Sequence, residues 1–166
     1  DGPLTLRLEG VATAERAKTP MDAMVFIRVT GNVHADVNEG GFQRTINEDN
    51  TQFATGSGFI VSSYGYVLTN EHVVGNHEWT SNKPGITAKI SVKVTRVEVC
   101  FAAVRTFPTG CVDASVYATD PDLDVAVLFI NAANLPYLAL GDSDSVTTSQ
   151  SISALGYPFG ESLEIG

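Results

Sequence analysis

Beyond Pro20 the chain offers almost no stretch that reads as a helix, and instead presents short β-branched runs punctuated by Gly, Pro, Asn and Asp. That feature constrains the fold more than any other, because parallel strands need crossover connections of roughly a dozen residues, usually helical. Many short strands closed by turn residues argue for an antiparallel barrel or sandwich.

The strands are legible one by one. Met24 to Thr30 is β-branched and aromatic, and Gly31-Asn32 closes it. Asn32 to Thr55 is polar, contains Gly40-Gly41, and reads as a loop or a loosely paired hairpin. Gly58 to Ser62 and Tyr66 to Thr69 flank Ser63-Tyr64-Gly65 as a hairpin. Further on, Ile90, Val92 and Val94 alternate with polar residues, and then the phase slips to Val97 and Val99. A one-residue slip would turn the second set to the opposite face, so the pattern calls for a β-bulge near Thr95-Arg96 or a change of packing partner there. Val112 to Thr119, Val125 to Ile130 and Gln150 to Leu155 are the remaining strand candidates. The one helix expected lies between Glu9 and Met24, with Pro20 ending it.

Composition narrows the functional classes. At 166 residues, with 43% hydrophobic and 17% charged side chains, the chain has the apolar content of one folded domain. A net charge of −9 argues against nucleic acid, which is held by clustered Lys and Arg. The longest apolar run, Val125 to Ile130, is far shorter than the ~20 residues of a membrane-spanning helix. The chain opens on Asp1-Gly2-Pro3-Leu4 without a basic and apolar leader, so any signal peptide is expected to have been removed or left out. Cys100 and Cys111 flank Pro108 and Gly110, and spacing leaves a hairpin disulfide and two buried thiols equally open.

Two residues stand out chemically. His72 follows directly on the strand ending Val67-Leu68-Thr69 and precedes Val73-Val74, a rigid placement that suits a general base and equally suits a structural histidine. Asp124 heads the most apolar strand, where a carboxylate needs a donor such as an imidazole N–H. Asp120 and Asp122 could serve in its place, or all three acids could simply cap a turn beside Pro121. A metal site from His72, His77 and the cysteines is disfavoured, because the histidines lack the one-face spacing of a His-Glu-x-x-His helix and the cysteines are not Cys-x-x-Cys. No cofactor is called for.

Taken together, Gly56-Ser57-Gly58-Phe59-Ile60-Val61 and Gly65-Tyr66-Val67-Leu68-Thr69-Asn70-Glu71-His72-Val73-Val74 resemble the histidine-bearing segment of trypsin-like serine proteases of the HtrA type. Asp122-Leu123-Asp124-Val125-Ala126-Val127-Leu128 resembles their aspartate segment, which singles out Asp124. Leu140-Gly141-Asp142-Ser143-Asp144 and Gly156-Tyr157-Pro158-Phe159-Gly160 resemble two later landmarks, the stretch between the barrels and the first strand of the second. The resemblance implies an all-β, chymotrypsin-like fold: an N-terminal segment over 1–22, a first barrel over 23–140, and a linker with the start of a second barrel over 141–166. It implies His72 as general base and Asp124 as its orienting acid, in the order His, Asp, Ser. The family takes its nucleophile and oxyanion hole from a Gly-x-Ser-Gly-Gly segment that these residues do not contain, so residues 1–166 alone are expected to be inactive. Ser57, in Gly56-Ser57-Gly58, only superficially suggests a nucleophile. The partners implied are polypeptide substrates and the remainder of the protease domain, with a homo-oligomer left open, and the location implied is extracytoplasmic. Two departures accompany the match. An insertion is expected between Asn76 and Thr119, and Glu71 places a charge beside His72 that would favour the imidazolium if it faced the cleft. The competing reading is a catalytically dead barrel that binds extended peptides along a sheet edge.

Overall fold

The computed structural model describes residues 16–101 and 110–157. Its strands are β1 (Met24–Glu39), β2 (Phe42–Ile60), β3 (Tyr66–Thr69), β4 (His77–Lys83), β5 (Ile86–Phe101), β6 (Gly110–Asp120) and β7 (Val125–Ile130), with a one-turn helix α1 (Glu71–Val74) after β3. All pairings are antiparallel, in the order β1-β2-β3-β7-β6-β5. β5 also pairs with β1, and this closes six strands into a barrel and removes the open edges a sheet of this size would expose. The all-β, antiparallel barrel is the architecture the strand pattern calls for.

Alternation along each strand supplies the core. Val25, Ile27 and Val29 of β1 point inward with Ile60, Val67, Val97, Val99, Leu128 and Ile130, all buried in one cluster. The phase slip in β5 resolves as a bulge. Thr30 faces Arg96 and Gly31 faces Val94, so Thr95 is the extra residue, and its hydroxyl donates to the Thr30 carbonyl at 3.3 Å. The bulge keeps Ile90, Val92 and Val94 on the same face as Val97 and Val99. The packing partner changes there as well: β5 pairs with β4 over Ile86 to Val92 and with β6 over Val97 to Phe101.

The polar stretch from Asn32 to Thr55 is not a loop. It continues β1 and β2 as a regular hairpin turned at Gly40 and Gly41, both at positive φ. With β5 and β4 it makes a four-stranded extension, ordered β2-β1-β5-β4, that carries the barrel's inner face outward. Ala35, Val37 and Val92 are buried on one side of it, and His34, Asp36, Asn38, Thr45 and Lys89 occupy the other. The stretch between Asn76 and Thr119, where an insertion is expected, holds β4, β5 and β6 among the described residues, and β4 with the first half of β5 belongs to this extension. The abundance of Asn, Asp and His on the solvent side, residues of low strand propensity, is what gave this stretch a loop-like character.

Other expectations need correction. Gln150 to Leu155 is not a strand, because it finds no pairing partner among the described residues. Pro20 does not end a helix but opens a single 3₁₀ turn, Pro20–Ala23, where a fixed φ and a missing N–H are favourable. The body of the helix expected upstream falls outside the described residues. Cys100 and Cys111, directly opposite in the β5–β6 pairing, form a disulfide, which decides between the two readings of that pair.

Candidate active site

The site is built on α1, and one small residue sets how closely α1 can sit on the barrel. Gly56 lies under it: a Cβ at that position would come within 2.6 Å of the Val73 side chain, which is itself buried. Gly75 closes the other end of the helix, its N–H donating to the Glu71 carbonyl at 2.9 Å. The one-turn helix, with His72 in its middle, is thereby pressed onto β2 with its imidazole left outside the core.

Asp124 reaches the site from the turn before β7. Asp124 N–H donates to the Pro121 carbonyl at 3.3 Å, and the residue adopts φ +52°, a left-handed conformation that Asp tolerates better than most side chains. Its carboxylate then meets three donors. Oδ1 accepts the backbone N–H of His72 at 2.9 Å, and Oδ2 accepts His72 Nδ1 at 2.7 Å and Asn70 Nδ2 at 3.1 Å. Asn70 Nδ2 also lies 3.1 Å from the Asp124 backbone carbonyl. The N–H donors from His72, backbone first and ring second, hold the Asp124 carboxyl below its ordinary value, with a smaller contribution from Asn70.

An ionised carboxylate only accepts, so Nδ1 carries the ring proton and the lone pair of the neutral imidazole sits on Nε2. The His72 side chain is 65% exposed, so Nε2 is open to a proton donor arriving from outside the barrel. Such a pair can take a proton at Nε2 while the carboxylate stabilises the imidazolium that results.

The other candidates sort themselves by contact. Asp120 accepts the Leu123 N–H at 3.1 Å and caps the turn, and Asp122 is exposed. The Glu71 carboxylate lies against Gly75, and among the described residues no ion pair or hydrogen bond joins it to His72. Ser57 accepts the Tyr157 N–H on its hydroxyl oxygen at 2.7 Å, tying the barrel wall to the segment that follows it. His77 sits on β4 against Phe53, and the cysteines are consumed by their disulfide. Asn70 lies within the histidine-bearing segment, yet nothing in the sequence assigns it a task. The available signal was an Asn two positions before the histidine, which by itself reads as a helix cap.

Comparison with known proteins shows the family. Residues 56–165 match the trypsin-like peptidase domain family. A probable periplasmic serine endoprotease, DegP-like, from Pseudomonas putida is 37% identical over 105 residues, 63% of this chain and 17% of that protein. The putative serine protease HhoB of Synechocystis is 31% identical over 159 residues, 96% of this chain and 31% of that protein. The chain thus spans less than a third of the length of these relatives. A solved structure of the HtrA-type protease AlgW with a tripeptide aligns at a TM-score of 0.48 and 24% identity, over 78% of this chain and 29% of that one. With the family match covering well over half of the sequence, the chain belongs to the trypsin-like peptidase domain family, and its relatives are of the HtrA type.

Proposed function

We propose that this chain is the histidine- and aspartate-bearing part of an HtrA-type serine endopeptidase that hydrolyses peptide bonds. The observation that carries the reading is the 2.7 Å bond between His72 Nδ1 and Asp124 Oδ2, reinforced by the second bond from the His72 backbone to the same carboxylate. His72 acts as general base toward a serine hydroxyl and then returns the proton to the leaving amine. Asp124 fixes the tautomer and stabilises the imidazolium. The serine and its oxyanion hole come from a segment outside residues 1–166, so these residues are inactive alone. Polypeptides are the substrates. The working compartment is extracytoplasmic, a reading supported by relatives named as periplasmic and by the cross-strand disulfide, which persists in oxidising surroundings.

The test is hydrolysis of an unstructured protein by the full-length enzyme, its Asp124→Asn and His72→Ala variants, and residues 1–166. The reading expects cleavage by the first alone, with Asp124→Asn reduced about 10⁴-fold, the scale seen when a triad aspartate is neutralised. Undiminished cleavage by His72→Ala would sink it. A folded full-length protein that binds peptides and cleaves none would instead favour the catalytically dead barrel.

A further inference from the structure

We infer that Asn70 is a positioning residue for the acid of the dyad: its amide holds Asp124 by both the backbone carbonyl and the carboxylate. The inference deepens the proposed function and rests on it for its catalytic consequence. Asn70 occupies the N-cap of α1, where an Asn side chain ordinarily accepts from the first turn of its own helix. Here it makes no such cap. Its Nδ2 lies 3.1 Å from the Asp124 carbonyl oxygen and 3.1 Å from Oδ2, so each amide hydrogen has one acceptor on residue 124.

Those two contacts restrain the two features of Asp124 that are otherwise soft. One is the left-handed backbone at φ +52°, which no glycine relieves. The other is rotation of the carboxylate. Bonding of Oδ2 to Asn70 and His72 together leaves Oδ1 to the His72 backbone N–H, so both carboxylate oxygens are engaged and the ring is tied through Nδ1. The capping task that Asn70 gives up passes to Asp124 itself, which satisfies an N–H of the α1 first turn from across the site. Helix, base and acid are thus closed into one ring of hydrogen bonds, in which Asn70 bonds to Asp124 and not to the imidazole.

The experiment compares Asn70→Ala and Asn70→Asp with the unmodified full-length protein, reading kcat and KM on a peptide, the pH profile, and the His72 Nδ1–H signal by NMR. Asn70→Ala is expected to lower kcat about tenfold, the effect of one lost hydrogen bond to a charged group, with KM within about twofold. Asn70→Asp keeps the size but sets an acceptor against two acceptors. It should lose at least as much, and its acid limb should move to higher pH because a second carboxylate favours the imidazolium. A residue that only fills space would leave Asn70→Asp unimpaired. Unchanged kcat in Asn70→Ala, or full activity in Asn70→Asp, overturns the inference. If the unmodified protein cleaves nothing, the functional reading fails separately, and the NMR arm still decides. Loss of the Nδ1–H signal in Asn70→Ala supports the inference, and its persistence overturns it.

Discussion

Asp124 carries a prediction about pH that follows from its hydrogen bonds alone. Its carboxyl is held below the ordinary 3.8, chiefly by the His72 backbone N–H and then by the ring. A depressed carboxyl contributes stability that is fully present above its ordinary value and is lost as pH falls through the depressed one. The ring of bonds around His72 should therefore survive to about pH 4 and open below it, which NMR of the His72 amide would follow. Opening well above that range would contradict the geometry. Gly56 makes a second case. Gly56→Ala drives a methyl group into Val73 and should destabilise the barrel by about 1–3 kcal/mol in thermal unfolding, the usual range for overpacking. It should also lower activity, because α1 carries His72. Of this site, strand-end placement marked His72 and three neighbouring acids only as candidates, and it was the resemblance of the flanking segments that singled out His72 and Asp124. The role of Asn70 was not legible, because a side chain at a helix cap shows nothing in sequence of which partner it will choose 54 positions away.

At the scale of elements, the bulge at Thr95 shows how much periodicity alone conveys. The slip between Val94 and Val97 announced an irregularity, and the structure absorbs it in one extra residue without moving apolar side chains off the inner face. Deleting Thr95 should thus join Val94 to Arg96 in continuous alternation, with Ile90 and Val92 still on the inner face and the chain still folded in denaturant titration; Ile90 and Val92 turned toward solvent would contradict this register. The extension was harder to read, since half of its positions are polar by necessity: each strand shows one face to water. On that face His34 donates to Asn47 at 2.7 Å and lies 3.3 Å from Asp36, whose other oxygen accepts from Thr45. The Asn47 contact first, and Asp36 second, raise the His34 pKa above 6.5. The stabilisation this gives is complete below that value and fades as pH rises through the raised one. An NMR titration should find His34 titrating above 6.5, and Asn47→Ala should bring it down. The failure of Gln150 to Leu155 to form a strand has a different cause. Alternation shows that a segment could pair, whereas pairing needs a partner.

Across the whole molecule, the barrel closes on itself through the β1–β5 pairing, yet Leu140, Val146 and Ile152 beyond β7 remain exposed. In the proposed enzyme they are covered by the second barrel, and residues 1–166 alone should self-associate, a property sedimentation would report. A monomer that melts cooperatively would count against that arrangement. The central claim, that His72 and Asp124 activate a serine lying outside residues 1–166, is tested most directly by a fluorophosphonate probe, which reacts only with activated serines. Applied to the full-length protein, it should yield one adduct, mapped by mass spectrometry to a serine beyond residue 166 and abolished by His72→Ala. Labelling that survives His72→Ala, or an adduct on Ser57, would contradict the account.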